Sequence, residues 1–252
     1  METNKLVLEK EYSINSLLIN SNQRLGLYGL LGLMQDIAYN HAAILGYGYE
    51  DMVRDKCFWV LIRQKLKMKR WPGWQEEIMI RTYPKPIKGA FADRNFEVYH
   101  NGERIGECAT SWMILDAKTR RPHLHHGFDR TFDPGEEYAL PFVADKLIAP
   151  KDLEKVKSVV VKNSDLDLSN HVNNFKYSQW ILDLIPIQYH KTYLLTEYDI
   201  NFLGEAFLDD EVECFSNIFQ VAPDQKNELF FKGVKKENSK TVFLARIIAC
   251  SL

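Results

Sequence analysis

Asp165-Leu-Asp-Leu-Ser-Asn-His-Val-Asn-Asn-Phe-Lys-Tyr-Ser-Gln-Trp180 sets a dense polar cluster directly ahead of an apolar pattern at helical spacing. A strand-like run, Val156–Lys162, comes before it, and a helix is expected from about His171 to Leu184. Four more strand-like runs follow, at Tyr193–Leu203, Glu211–Phe219, Leu229–Lys236 and Thr241–Ala249. The order is therefore strand, helix, then antiparallel strands.

The first half has already run through that order once. Helical periodicity extends from about Gln23 to Leu45, with Leu27, Leu30, Leu31, Met34, Ile37, Ala38, His41 and Leu45 on one face and Gly46-Tyr-Gly48 as a stop. Strand-like runs follow at Trp59–Lys69, Glu77–Tyr83, Phe91–His100 and Glu103–Leu115. Asn101-Gly102 between the last two is a hairpin signal, because both residues tolerate positive φ. Around Thr131–Pro150 the pattern dissolves into acidic residues, glycine and proline, as a linker would. A strand–helix–strands unit repeated after about 145 residues reads as a duplicated α+β domain, each helix wrapped by a curved antiparallel sheet.

Composition sets outer bounds. A chain of 252 residues with 46% apolar and 26% charged side chains has material for one large or two smaller globular domains. A net charge of −2 gives no basis for whole-chain binding to nucleic acid or a membrane surface. No apolar stretch reaches the ~18 residues a membrane span needs, and the N-terminus lacks a signal-like segment, so a cytoplasmic protein is expected. Cys57, Cys108, Cys214 and Cys250 form no CxxC pair and are expected as free, buried thiols.

Spacing alone leaves two readings of Asp165–Asn174. Ser169 or Asp167 can serve as a helix N-cap worth ~1 kcal/mol, with His171 a satisfied core histidine. Alternatively the carboxylates, imidazole and carboxamides carry chemistry at a helix N-terminus, where free N–H groups and the macrodipole favour developing negative charge. Asp167 and His171 lack a third ligand, so no metal is expected; no nucleophile elbow or phosphate-binding glycine loop is present.

The stretch Asp165-Leu-Asp-x-x-x-His-Val-Asn-Asn-x-x-Tyr-x-x-Trp180 resembles one found in the acyl-acyl-carrier-protein thioesterases, which end fatty-acid synthesis in plants and have bacterial relatives. Asp36-Ile-Ala-Tyr-Asn-His41, Trp59-Val-x-x-Arg63, Trp71-Pro-x-Trp74, Ser111-Trp112 and Lys118-Thr-Arg-Arg121 also resemble family segments, in order. The resemblance implies a tandem double hotdog: residues 1–130 as an N-terminal domain binding the acyl chain, 131–150 as a linker, and 151–252 as a C-terminal domain with the catalytic residues. It implies Asp167, His171 and, through Phe202-Leu-Gly-Glu-Ala206, Glu205 as catalytic. Two departures stand out: Ser169 replaces a family asparagine, and Ala206 replaces a cysteine once proposed as nucleophile, which argues against cysteine chemistry here.

The implied reaction is hydrolysis of fatty acyl-acyl-carrier-protein by water, without a cofactor. Glu205 is expected as base, His171 as polarising or proton-transfer group, and Asp167 as the residue that orients His171. Backbone N–H groups near His171 to Asn173 are expected as the oxyanion hole, with Ser169, Asn170, Asn173 or Asn174 assisting. Gly26, Gly29 and Gly32 recur every three residues; they mean either close packing or an open acyl groove walled by Leu30, Met34 and Ile37. The basic row Arg63, Lys65, Lys67, Lys69 and Arg70 is either a solvated strand face or a dock for the acidic carrier protein, in competition with Arg120-Arg121 and Lys85/Lys88. The rivals are an acyl-coenzyme A thioesterase and a non-catalytic acyl-binding module; a homo-oligomer is compatible with each.

Overall fold

The Asn101-Gly102 turn takes the left-handed backbone its sequence invites, φ +49° and +78°. It joins the antiparallel strands β4 (Phe91–His100) and β5 (Glu103–Asp116). The structure, a computed structural model, describes residues 5–87, 90–123, 134–218 and 227–252, the side chain of residue 227 excepted. It divides into two compact units, Met1–Ala144 and Asp145–Leu252. The expected boundary at residue 130, the start of the linker and Lys88 lie outside the described residues.

The first unit contains β1 (Leu8–Ser13), α1 (Leu27–Ile44), α2 (Tyr49–Arg54), β2 (Cys57–Met68), β3 (Glu77–Pro84), β4 and β5. Its strands lie in the order β1-β3-β4-β5-β2, each neighbour antiparallel. The apolar stripe of α1 is buried over Leu27, Leu30, Leu31, Met34, Ile37, Ala38 and His41. Ile78, Ile80, Phe96 and Val98 of the sheet are buried as well. Each such side chain contributes about 1.5–3 kcal/mol relative to exposure. The helix begins at Leu27 rather than Gln23. Gln23 has φ +58°, and Arg24 and Leu25 form isolated bridges to Gly73 and Ile19.

The second unit contains β6 (Glu154–Val160), α3 (Asn174–Leu182), α4 (Ile187–Thr192), β7 (Tyr193–Phe202), β8 (Glu211–Ser216), β9 (Asn227–Lys235) and β10 (Thr241–Ser251). The strand order is β7-β10-β9-β8-β6, again antiparallel throughout. Tyr177 anchors the short α3, its ring meeting Trp180, Phe202 and Phe243 edge-on at 5.0–5.6 Å. The helices α2 and α4 are six residues each, too short to show a period in the sequence. All four cysteines are free, three of them buried and Cys250 partly so. No helix among the described residues is long and apolar enough to cross a membrane.

Candidate active site

The polar cluster folds as a closed turn ahead of α3, and carboxylates hold it. Asp165 is buried; its Oδ2 accepts the Lys162 N–H at 2.8 Å and its carbonyl accepts the Asn173 N–H at 2.8 Å. Inside that frame Leu166 bridges Val172, and the Asp167 N–H donates to the His171 carbonyl at 2.8 Å. Asn170 makes the reversal at φ +60°, a conformation asparagine tolerates. Asp167 Oδ1 accepts the N–H of Ser169 at 2.8 Å and of His171 at 3.3 Å. Hydrogen bonds to a charged acceptor contribute about 1.5–3 kcal/mol each, enough to divert these residues from helix.

Several sequence expectations are corrected here. The helix starts at Asn174, not His171, because those backbone groups are spent on the turn. Ser169 is not the N-cap: that position is Asn173, which makes no side-chain cap bond, and Ser169 is exposed within the turn. The N–H groups of His171, Val172 and Asn173 are not open to an oxyanion, since they donate to Asp167 Oδ1, the Ala206 carbonyl and the Asp165 carbonyl. The first free donor of the helix among the described residues is the Asn174 N–H.

Glu205 sits in the loop after β7 rather than within a strand. That loop is fixed at both ends. Leu203 and Gly204 donate to the Val242 carbonyl at 2.8 and 3.1 Å, and a Cβ at Gly204 would stand 3.1 Å from the Thr241 oxygen. Further along, the Phe207 N–H donates to Asp210 Oδ2 at 2.7 Å, and Asp210 pairs with Lys235 at 2.6 Å. The Val172 N–H reaches the Ala206 carbonyl at 3.0 Å and so ties this loop to the polar turn.

The tie brings His171 Nδ1 to 3.2 Å from Glu205 Oε1, with side chains 21% and 33% exposed. Glu205, not Asp167, therefore partners the imidazole; Asp167 acts on the backbone that carries it. Phe207 meets the His171 ring edge-on, centroids 4.9 Å apart at 90°. Sequence reasoning passed over Phe207 and Tyr177. Burial pushes the Tyr177 hydroxyl well above the usual phenol range, opposed by a hydrogen bond from the Ala206 backbone. The signal for Phe207 was its place two residues after Glu205, and for Tyr177 its place in the quoted motif.

The first-unit candidates lie elsewhere in the fold. Leu30, Met34 and Ile37 are essentially unexposed along α1. Gly26 is the helix N-cap. Gly29 does not open a groove: an added Cβ would meet the Leu18 carbonyl oxygen at 2.8 Å, so loop backbone already fills that space. Gly32 faces open space. In the basic row, Lys65 and Lys67 lie over the Phe142 ring at 5.9 and 4.8 Å, and Arg70 pairs with Glu76 at 2.6 Å. That row is not a free cationic strip. Among the described residues no group of three or more His, Cys, Asp or Glu is placed to hold a metal.

The acyl-ACP thioesterase N-terminal domain family matches residues 5–125 and the acyl-ACP thioesterase C-terminal domain family matches residues 148–248. A palmitoyl-acyl carrier protein thioesterase of Gossypium hirsutum is 26% identical over 228 residues, covering 84% of this chain and 55% of that protein. The chain thus spans little more than half the length of that curated relative. Among solved structures, an acyl-ACP thioesterase from Bacteroides thetaiotaomicron superposes with a TM-score of 0.88 at 26% identity, covering 98% of each chain. The 12:0-ACP thioesterase from Umbellularia californica superposes at 0.83 with 17% identity, covering 98% of this chain and 95% of that one, which speaks for the fold alone. With both halves matched in order, the chain belongs to the acyl-ACP thioesterase family, and its fold is a tandem double hotdog.

Proposed function

We propose that this chain hydrolyses the thioester of fatty acyl-acyl-carrier-protein, releasing free fatty acid and the carrier thiol. The observation that carries the reading is the 3.2 Å contact of His171 with Glu205 on a braced, partly open loop, in the half of the chain where the family resemblance puts its catalytic residues. Glu205 holds the Nδ1–H, which leaves Nε2 as the base toward water. Water oxygen attacks the thioester carbonyl carbon as its proton passes to Nε2. The tetrahedral oxyanion is held at the N-terminus of α3, with the Asn174 N–H as donor. Collapse breaks the C–S bond, and the imidazolium returns the proton to the thiolate. Asp167 keeps His171 in place through the turn. Thiolate is a good leaving group, so a base of modest strength suffices.

Residues 1–130 are proposed to take the acyl chain, with Leu30, Met34 and Ile37 on the apolar face of α1 as walls. The relative named for a palmitoyl substrate makes a long chain our choice. For the carrier, the second unit offers a groove of about 400 Å³ between β6 and α3, bordered by Lys157, Lys162 and Lys176. The groove also carries Asp165 and Asp183, and through Asp165 it borders the candidate turn.

The test is thiol release from matched carrier-protein and coenzyme A thioesters across chain lengths, with His171→Ala as control. Faster turnover of carrier substrates, lost in the control, is expected. Equal turnover by His171→Ala would overturn the site, and a preference for coenzyme A would overturn the carrier assignment. Binding without turnover would leave an acyl-binding module.

A further inference from the structure

The imidazole of His171 has one polar partner among the described residues, the Glu205 carboxylate 3.2 Å from Nδ1. A hydrogen bond at one ring nitrogen fixes a distance and leaves the ring free to tilt about that line. The direction of Nε2, on the far side of the ring, therefore depends on a second contact. Phe207 supplies it. The two rings stand edge-on at 90° with centroids 4.9 Å apart, a geometry that aromatic pairs favour.

Phe207 is 41% exposed, so burial alone does not hold it. Its backbone and its ring are held separately. On one side the buried Ala206 gives its carbonyl to the Val172 N–H at 3.0 Å; on the other, the Phe207 N–H donates to Asp210 Oδ2 at 2.7 Å. The same Oδ2 pairs with Lys235 Nζ at 2.6 Å, and that ammonium stands over the Phe207 ring, 5.2 Å from its centroid. The ring quadrupole attracts an ammonium in this position, the more so out of water, and the Lys235 side chain is only 11% exposed. Lys235 closes β9 and pairs with Val212 of β8, so the clip is rooted in the sheet. One carboxylate thus fixes both the backbone of Phe207 and the cation that meets its ring. An ion pair so placed gives up hydration and contributes little net stability, whereas its two ends do fix one side chain.

We propose that Phe207, clipped by Asp210 and Lys235, is the positioning residue that sets the plane of the His171 ring and so aims Nε2. Its effect on rate rests on the proposed reaction, in which Nε2 takes the proton from water; its effect on the ring does not. Glu205 sets which nitrogen carries the proton, Asp167 holds the backbone of His171, and Phe207 sets the tilt. A ring free to tilt spends part of its time off the Glu205 oxygen, and Nδ1 then loses its hold on the proton. Phe207 touches no reacting atom in this scheme, so its loss acts on kcat and not on KM for a small thioester.

The experiment compares Phe207→Leu, which keeps apolar bulk without the ring, with Phe207→Tyr, which keeps the ring, both on the full chain. Nitrogen NMR at alkaline pH, where the imidazole is neutral, reads the His171 tautomer, and kinetics on a small thioester separate kcat from KM. The parent is expected to show a single Nδ1–H tautomer. In Phe207→Leu the ring should move to a mixture of tautomers, and kcat should fall about tenfold at unchanged KM, with a melt within a few degrees of the parent. Phe207→Tyr should recover the single tautomer and most of the rate. Identical His171 signals in the parent and Phe207→Leu would overturn the proposal whatever the rates. Equal losses in the two variants would make Phe207 a packing residue and overturn it as well. A raised KM at unchanged kcat would make it a substrate contact, with the same consequence. A parent that hydrolyses no thioester would overturn the proposed function, and the NMR comparison would still decide the role of Phe207.

Discussion

Glu205→Gln removes one charge and leaves the side chain nearly unchanged in volume, so it isolates what Glu205 does for His171. In the proposed reaction the imidazole becomes a cation as water gives up its proton, and it then faces the Glu205 carboxylate, which lies 3.2 Å from Nδ1. Opposite charges ~4 Å apart interact by ~4 kcal/mol at an effective dielectric of 20 and ~1 kcal/mol in bulk water. Side-chain exposures of 21% and 33% place this pair between those limits. Taking ~2 kcal/mol, lost only as charge develops, the rate falls ~30-fold. Glutamine also offers Nδ1 a donor as readily as an acceptor, which favours the wrong tautomer and brings the expected loss in kcat to about 100-fold. Stability should barely move, since a partly exposed ion pair contributes at most ~1 kcal/mol, or less than about 4 °C in this size range. Single-turnover thiol release together with a thermal melt decides the matter. A Glu205→Gln enzyme within threefold of the parent rate, with an unchanged melt, would refute the dyad.

Four further outcomes follow from the same geometry. Asp167→Asn keeps an oxygen for the Ser169 and His171 N–H groups and should melt within a few degrees of the parent, whereas Asp167→Ala leaves both unaccepted and should lose about 1–3 kcal/mol by denaturant titration. Gly29→Ala drives a Cβ toward the Leu18 carbonyl and should destabilise by about 1–3 kcal/mol, while Gly32→Ala meets open space and should stabilise by up to ~1 kcal/mol. Paired melts of the two variants check the sign of each. His41 is neutral in the fold down to about 4 and titrates near 6.5 when unfolded, so the unfolded state binds the extra proton between those values. Stability should therefore fall as pH drops from about 6.5 to about 4, by about 3 kcal/mol from this group, and His41→Gln should flatten that part of the pH–stability curve. Charge reversal at Lys157, Lys162 and Lys176 should raise KM for the carrier-protein substrate at least tenfold and leave small thioesters alone; an unchanged KM would move the docking surface elsewhere.

What the chain disclosed in advance follows from which forces are local. The stripe from Leu27 to His41 is a burial pattern written at one helical period, and it is buried as written. Asn101-Gly102 needs only its own φ angles. The polar cluster announced a special segment but not its shape. Asp165 and Asp167 both had two options, capping a helix or gathering N–H groups into a turn, and the choice depended on Ala206, more than thirty residues away, accepting from Val172. Gly29 failed for the same kind of reason. Three glycines on one helix look like a groove until the Leu18 backbone is placed over one of them. On β2 the alternation of lysines predicted a common face, and only the tertiary position of Phe142 shows that Lys65 and Lys67 lie over an aromatic ring.

The two halves share an order of elements, and the difference between them lies in how each helix is started. In the first unit Gly26 and Gly29 let the Leu18 backbone lie directly on the helix N-terminus, where the Gly26 N–H donates to the Leu18 carbonyl at 2.8 Å. That end is closed by chain. In the second unit the N–H groups ahead of the helix go to the Asp167 carboxylate and to the Ala206 and Asp165 carbonyls, and the Asn174 N–H keeps no partner among the described residues. An end overlaid by another segment's backbone has no room for a developing oxyanion, whereas one with a free first N–H leaves a donor and the positive end of the dipole available. The same argument explains why His41, buried in the body of α1 against Arg94, stays neutral at pH 7, while His171 stands before its helix, partly open and beside a carboxylate. If duplication gave both halves their histidine, it is the way the chain enters the helix that leaves one of them open to the proposed proton transfer and the other buried against a cation.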